Sequence, residues 1–537
     1  MGRTMQASIT SLLSFCARLG VMLSVVSASL VRLTPLLTAT TTATATATMA
    51  VPIQIQIQNQ LRSHLSTSAT SLTASASASV AAAGPPATPT PPLDYASYLS
   101  PASRVRRESA IRALMPFVKQ PGMISLGGGM PNPATFPFKG MSYTLADGST
   151  IHLTPEETSA SLQYSATPGL PELVSALKQM QVEYHYGDRK LRVPSSLSVT
   201  VGSQDGLGKC FEMLLGPGDT LLLENPTYSG SLSALQPLSV KLHGLATDAF
   251  GLIPASLDSA LTNWNEATQG RRPRVLYTIP TGSNPSGGSQ TLERKHRIYD
   301  ICRRPENNIV IIEDDPYYFL QFTSPRVPSY LSFDIDDRVL RFDSLSKVLS
   351  AGMRLGYVTG PTPLVERIDL HSQATNLHAS GSSQALAASL LKTWKTQMPK
   401  PEFLAGDTSA PYDSGLDLVK LSIPGFELHA RHVAQFYRTQ RDAFLAAANR
   451  HLKGLAEWNE PTAGMFVWFK LNGIADTRDL ILRQAVQKNV LLVPGNAFVP
   501  GGGQSSYVRA SYSVATPEQM DTALGRLAAL LKDVQKQ

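Results

Sequence analysis

The sequence predicts an α/β protein built on a doubly wound, mostly parallel sheet, and three features carry that expectation. Short apolar runs recur along the chain, segments with helical periodicity alternate with them, and Gly, Pro and Asn cluster at the junctions. Residues 197–201 read as a buried strand, and Gly202-Ser203-Gln204 opens a helix with an apolar stripe at Leu207, Phe211, Leu214 and Leu215. Gly216-Pro217-Gly218-Asp219 stops that helix before the next strand, at 221–223. Further strands are expected at 275–279, 309–312, 339–342 and 357–359. The Pro/Gly/Asp-rich stretch 398–425 reads as a surface insertion. Near the end, Thr516-Pro517-Glu518-Gln519 combines an N-cap, a first-turn proline and a capping-box glutamine, followed by Met520, Leu524, Leu527, Leu531 and Val534 on one helical face.

At 537 residues the chain exceeds what one core holds, so more than one domain is expected. It is 42% apolar and 16% charged, which excludes a wholly disordered or collagen-like polymer. The formal charge of +7 does not mark a nucleic-acid surface. Residues 1–93 hold Arg3, Arg18, Arg32 and Arg62 with no Lys, Asp or Glu, so the remainder is close to balanced. Cys16, Cys210 and Cys302 lack metal-ligand spacing, so neither a metal centre nor a disulfide framework is expected.

The acid-free, Ala/Ser/Thr-rich stretch 1–93 cannot build a packed core and has the composition of an organellar transit peptide, which predicts a mitochondrial address. Two alternatives stay open. Residues 19–31 form an apolar run fit for a secretory signal and too short for a membrane span, and a start at Met49 would remove that run and leave the protein in the cytoplasm.

Candidate chemistry begins at Asp343-Ser344-Leu345-Ser346-Lys347, which follows a strand and precedes Arg354. Ser344, Ser346 and Arg354 can converge on a dianion, while an uncharged Lys347 can condense with an aldehyde. Alone, this segment reads more readily as a solvated basic loop. Asp314 sits at the carboxyl end of a strongly apolar strand, where open α/β sheets bind ligands, and can hold a pyridine nitrogen protonated, with Tyr317 close in sequence. A turn is the plainer reading of Asp315-Pro316 there. Asn284 lies in another strand-end loop, Ser203 and Gln204 open a helix whose amides suit a phosphate, and Tyr228 offers an aromatic face.

In this order the motifs resemble the class I/II pyridoxal-phosphate aminotransferases of fold type I, in the kynurenine/2-aminoadipate and fungal aromatic aminotransferase branch. Further matching segments are Gly127-Gly128-Gly129-Met130-Pro131, Leu162-Gln163-Tyr164-Ser165, Ala463-Gly464-Met465-Phe466 and Tyr507-Val508-Arg509-Ala510-Ser511. The resemblance implies a large domain at 141–395, an arm and small-domain segment at 94–140, an insertion at 396–428 and a small α/β domain at 429–537. It implies pyridoxal 5'-phosphate, held as an internal aldimine by Lys347, which also shuttles the proton. Asp314 is implied to pair with the ring nitrogen, Asn284 and Tyr317 with the ring oxygen, and Tyr228 with the ring face. Ser203, Gln204, Ser344, Ser346 and Arg354 would cradle the phosphate, joined by Tyr164 from the neighbouring subunit of a homodimer. Arg509 would bind the substrate carboxylate, with Asn284, the backbone near Gly129 and the mobile Arg112 assisting. The implied reaction is ping-pong transamination between an aromatic amino acid, kynurenine or 2-aminoadipate and a 2-oxo acid such as 2-oxoglutarate. A β-lyase or decarboxylase on the same scaffold, or a non-catalytic sensor, are the competing readings.

Overall fold

Leu221, Leu222 and Leu223 are consecutive and have no exposed surface, a pattern that demands a strand covered on both faces. The computed structural model describes residues 91–537 apart from 115, 116, 118, 119, 188, 190, 400–412 and 537, so the leader reading falls outside it for residues 1–90. A small hairpin, β1 (Ser142–Thr144) with β2 (Thr150–His152), precedes the main sheet. The strands of that sheet are β3 (Ser195–Thr200), β4 (Thr220–Asn225), β5 (Lys241–Asp248), β6 (Gly251–Leu252), β7 (Val275–Thr278), β8 (Val310–Asp314), β9 (Val339–Ser344) and β10 (Gly356–Pro361). They are ordered β3-β10-β9-β8-β7-β4-β5-β6. Only β10 and β6 run against the rest. All other carboxyl ends therefore open at one edge, and each expected ligand loop sits there.

The expected helix after β3 spans Ser203–Leu214 and buries Leu207, Cys210, Phe211 and Leu214. Phe211 meets Tyr277 of β7 edge-on at 5.4 Å between ring centroids. Gly206 lets the helix lie against β9, since a Cβ there would approach the Phe342 ring to 3.0 Å. Ile311, Ile312, Leu340 and Phe342 are fully buried in the two strands that end in Asp314 and Ser344. Each such side chain contributes about 1.5–3 kcal/mol, so the central strands form a rigid platform for the loops they carry.

A second, antiparallel sheet comprises β11 (Ala456–Glu457), β12 (Phe466–Leu471), β13 (Val493–Pro494) and β14 (Tyr507–Ser511), ordered β11-β12-β14-β13. Val467, Phe469 and Val508 share a core with Phe444 of the helix Pro424–His451, with Leu452 just after that helix, and with Leu524, Leu527 and Leu531 of the last helix, Pro517–Gln535. The capping box on Thr516 and Gln519 forms as expected.

The long helix is Pro424–His451, so it begins inside the stretch read as an insertion. Of the described residues in 398–425, Pro399, Ser414, Ile423 and Gly425 are buried, which departs from a wholly surface loop. The Gly425 amide donates to the Trp394 carbonyl at 3.0 Å, and Arg431 Nε donates to the Ser414 hydroxyl at 3.1 Å. Both contacts lie around the buried Arg326–Glu427 ion pair at 2.8 Å, whose charges need enclosing polar partners. Among the described residues, no helix is long and apolar enough to cross a membrane.

Candidate active site

Asp314 closes β8 with its side chain buried, and its two oxygens differ. Tyr277 donates its hydroxyl to Oδ2 at 2.8 Å and is itself met by the Ser231 hydroxyl at 2.8 Å. Oδ1 is buried and, among the described residues, has no hydrogen-bond partner. An orphaned carboxylate oxygen is costly unless a donor arrives, and burial accordingly pushes the Asp314 carboxyl up to about 7. This arrangement suits a protonated ring nitrogen. Neither Tyr277 nor Ser231 was anticipated: Tyr277 lies in an apolar run and reads as a core residue, and Ser231 is an ordinary helix residue.

Lys347 follows β9 in a turn held by the Leu345 amide on the Leu355 carbonyl, 3.1 Å, and the Leu349 amide on the Leu345 carbonyl, 2.8 Å. Burial lowers its pKa, and the nearby cations Arg354 and Arg509 lower it further. Among the described residues its amine has no hydrogen bond or ion pair. A half-buried amine biased toward neutrality is a nucleophile and a base.

The residues expected to cradle a phosphate come from three loops. Arg354 adopts a left-handed backbone, φ 50°, and donates to the Ser346 hydroxyl at 3.2 Å and the Ala351 carbonyl at 3.1 Å. The Ser346 amide is held on the Ser344 hydroxyl at 3.2 Å. Gly202, φ 76°, precedes Ser203 and Gln204 at the helix start, where the first amides have no partner within the helix. A Cβ on Gly202 would collide with the Arg354 guanidinium, so the glycine keeps basic side chain and helix start around one space. Gln204 Nε2 donates to the Gly230 carbonyl at 2.9 Å, leaving its buried Oε1 without a partner. Gly202→Ala is expected to weaken binding of the pyridoxal phosphate anticipated from the sequence about tenfold or more through strain and displacement of Arg354. A cofactor titration checks this, and an unchanged dissociation constant would contradict the cradle.

Asn284 and Arg509 come together: Arg509 NH1 donates to Asn284 Oδ1 at 2.8 Å. The guanidinium lies between two rings, 4.4 Å from the Phe466 centroid and 5.1 Å from that of Phe498. Its Nε is buried and unpartnered, so donor capacity remains for a carboxylate. Tyr317 is buried and meets Phe466 edge-on at 6.1 Å. Burial raises its hydroxyl pKa, as do the charges of Asp314 and Tyr228, while Arg509 opposes them. Tyr228 is half-buried over Gly230 and within electrostatic reach of Asp314, Arg509 and Arg354. The short helix Gly495–Phe498 approaches it as well, because the Thr227 amide donates to the Phe498 carbonyl at 2.9 Å.

Three expected residues lie apart from this cluster. Tyr164 is 51% exposed and Arg112 donates to the Ser165 carbonyl at 2.8 Å. Both line a separate cavity of about 1190 Å³ with Glu108, Glu366 and Asp369. Gly129 is exposed, with nothing within 4 Å of where its Cβ would be.

Residues 149–405 match the family described as aminotransferase class I and II. The chain is 43% identical over 453 residues to the mitochondrial kynurenine/alpha-aminoadipate aminotransferase of Rattus norvegicus, covering 82% of this chain and 100% of the relative. It is 37% identical over 445 residues to aminotransferase tdiD of Emericella nidulans, with 80% and 94% covered. Among solved structures, aminotransferase Aro8 from Candida albicans aligns with a TM-score of 0.68 at 27% identity, over 83% of this chain and 99% of that one.

Proposed function

This chain belongs to the class I and II aminotransferases and catalyses transamination, and on that premise we propose that it works with pyridoxal 5'-phosphate bound at Lys347. The observation that carries this reading is the orphaned Asp314 Oδ1 in the same site as a lysine amine of lowered pKa. When bound, pyridoxal phosphate supplies an aldehyde for the amino group and a protonated ring that takes up the electron pair of the broken Cα–H bond. Asp314 Oδ1 accepts the ring N–H and keeps that proton in place, while Tyr277 fixes the carboxylate through Oδ2. Lys347, once the substrate amine has displaced it, would carry the proton released from the substrate Cα, a role for which its lowered pKa suits it. Arg509, steadied by Asn284 and the two phenylalanine rings, binds the substrate carboxylate and sets which Cα bond faces Lys347. Ser203, Gln204, Ser344, Ser346 and Arg354 hold the phosphate, Tyr317 donates to the ring oxygen, and Tyr228 covers the ring face.

We further propose aromatic amino acids, kynurenine or 2-aminoadipate as donors and 2-oxoglutarate as an acceptor. The names of the Rattus norvegicus relative, of an L-tyrosine:2-oxoglutarate aminotransferase from Serpula lacrymans at 30% identity, and the aromatic surroundings of Arg509 support that range. Incubation with each donor and 2-oxoglutarate, with product oxo acid and glutamate measured together, tests it. Equal amounts of both are expected, whereas pyruvate and free ammonia, released with the detached side chain in place of its oxo acid and glutamate, would mark a β-lyase.

A mitochondrial location is supported by the acid-free, Arg-bearing leader and by the named location of the relative. A homodimer is supported by the exposed Tyr164 and by the arm that leaves Ile124 86% and Leu126 95% exposed. Light scattering of residues 91–537 is expected to give twice the chain mass, and a monomer at micromolar concentration would contradict it.

A further inference from the structure

One buried carboxylate ties down the loop that carries Asn284. Glu224, in β4, is 1% exposed. Thr278 Oγ1 donates to its Oε1 at 2.6 Å and Gln290 Nε2 to the same oxygen at 3.0 Å, while Ser283 Oγ donates to Oε2 at 3.3 Å. These donors stand before, within and after one loop, which the Gln290 amide closes on the Pro280 carbonyl at 2.8 Å. Burial raises the Glu224 carboxyl to about 7, and no cation pairs with it among the described residues. Its place is therefore set by the donors it gathers.

The connections continue in both directions. Ser283 adjoins Asn284, whose Oδ1 receives Arg509. Gln290 Oε1 accepts the Tyr330 hydroxyl at 2.6 Å, and the Tyr330 amide donates to Glu313 at 2.8 Å, beside Asp314. The loop also lies against the segment that precedes β12: a Cβ on Gly282 would come within 2.7 Å of the Ala463 backbone. Glu224 itself faces these loop donors and makes no contact with Lys347, Arg509 or the phosphate cradle in this structure.

We propose, resting on the transaminase reading above, that Glu224 is a positioning residue for the substrate carboxylate, acting through Ser283 and Asn284 on Arg509. Loss of its oxygens strands buried donors and frees the loop, so Asn284 no longer holds the guanidinium in register. The effect falls on substrates with an α-carboxylate and spares amines that lack one, which separates positioning from a general structural role.

The test uses holoenzyme carrying Glu224→Ala, Glu224→Gln or Ser283→Ala. Single-turnover kcat/KM is measured for an active donor and for the amine lacking its α-carboxylate, either L-phenylalanine with 2-phenylethylamine or L-2-aminoadipate with 5-aminopentanoate. The donor-to-amine ratio is expected to fall about tenfold in Glu224→Ala and about threefold in Ser283→Ala, and to recover to within about threefold of wild type in Glu224→Gln, which keeps the shape and an acceptor oxygen. An unchanged ratio in Glu224→Ala, or in Ser283→Ala where Glu224→Ala does not fold, overturns the proposal. A wild-type enzyme that transaminates none of the donors overturns the underlying functional reading instead, a result distinguishable because it appears before any substitution is made.

Discussion

Lys347→Ala is expected to lower turnover by at least about 10⁴-fold, because nucleophile and proton carrier are lost together. The fold is expected to survive. Lys347 makes no hydrogen bond or ion pair among the described residues, and its pKa is lowered by the site it occupies, so the protein gains no stability from that charge. The variant should still bind pyridoxal phosphate through Arg354, Ser344, Ser346 and the helix start at Ser203, but reversibly. Mass spectrometry after borohydride treatment checks this: wild type should carry one covalently fixed cofactor per chain, and the variant none. Activity within tenfold of wild type would mean that another base moves the proton.

Asp314→Asn is expected to lower kcat by about 10²- to 10³-fold, the range for removal of one preorganised electrostatic partner, while changing the stability of the cofactor-free protein in the opposite sense at high pH. The sign follows from the direction of the shift. The Asp314 carboxyl goes from an ordinary 3.8 up to about 7 in the folded chain, so the folded state binds this proton more tightly than the unfolded one. That group's contribution is intact below pH 4 and is lost as pH rises through 7. Three pH units correspond to up to about 4 kcal/mol. Asparagine does not titrate. The stability difference between variant and wild type should therefore move toward the variant by roughly 2–4 kcal/mol between pH 4.5 and pH 8, as read by denaturant unfolding of the cofactor-free proteins. A difference independent of pH would show that Asp314 is not the strained group. Stability given up at a residue that needs a ligand is a familiar trade at functional sites.

The strand ends were legible because each lies where a mostly apolar run gives way to Gly, Pro, Asn or Asp, and the sheet places those transitions at one edge. Ser203, Asn284, Asp314, Ser344 and Lys347 all lie at such transitions. The supports behind them were not legible. Tyr277 and Glu224 belong to buried strands, where a polar group's partner comes from another strand and leaves no periodic signal. The reversed direction of β10 was equally hidden, since a strand buried on both faces reads the same either way. β5 escaped notice because its alternating exposure carries Lys241, His243 and Asp248, and β11 and β13 because two residues set no period. Arg112, Tyr164 and Gly129 came from resemblance alone, and the contacts within one chain do not bring them to Lys347.

Lys347, Asp314 and Arg509 are proposed to form one site that moves an amino group onto a bound cofactor. Absorbance of residues 91–537 loaded with pyridoxal phosphate, recorded before and after single additions of L-amino acids without oxo acid, tests it most directly. The account predicts a visible band from lysine-bound cofactor that gives way to the pyridoxamine form with aromatic amino acids, kynurenine or 2-aminoadipate, and returns on adding 2-oxoglutarate. A band that no amino acid discharges, or no band at all, would contradict it.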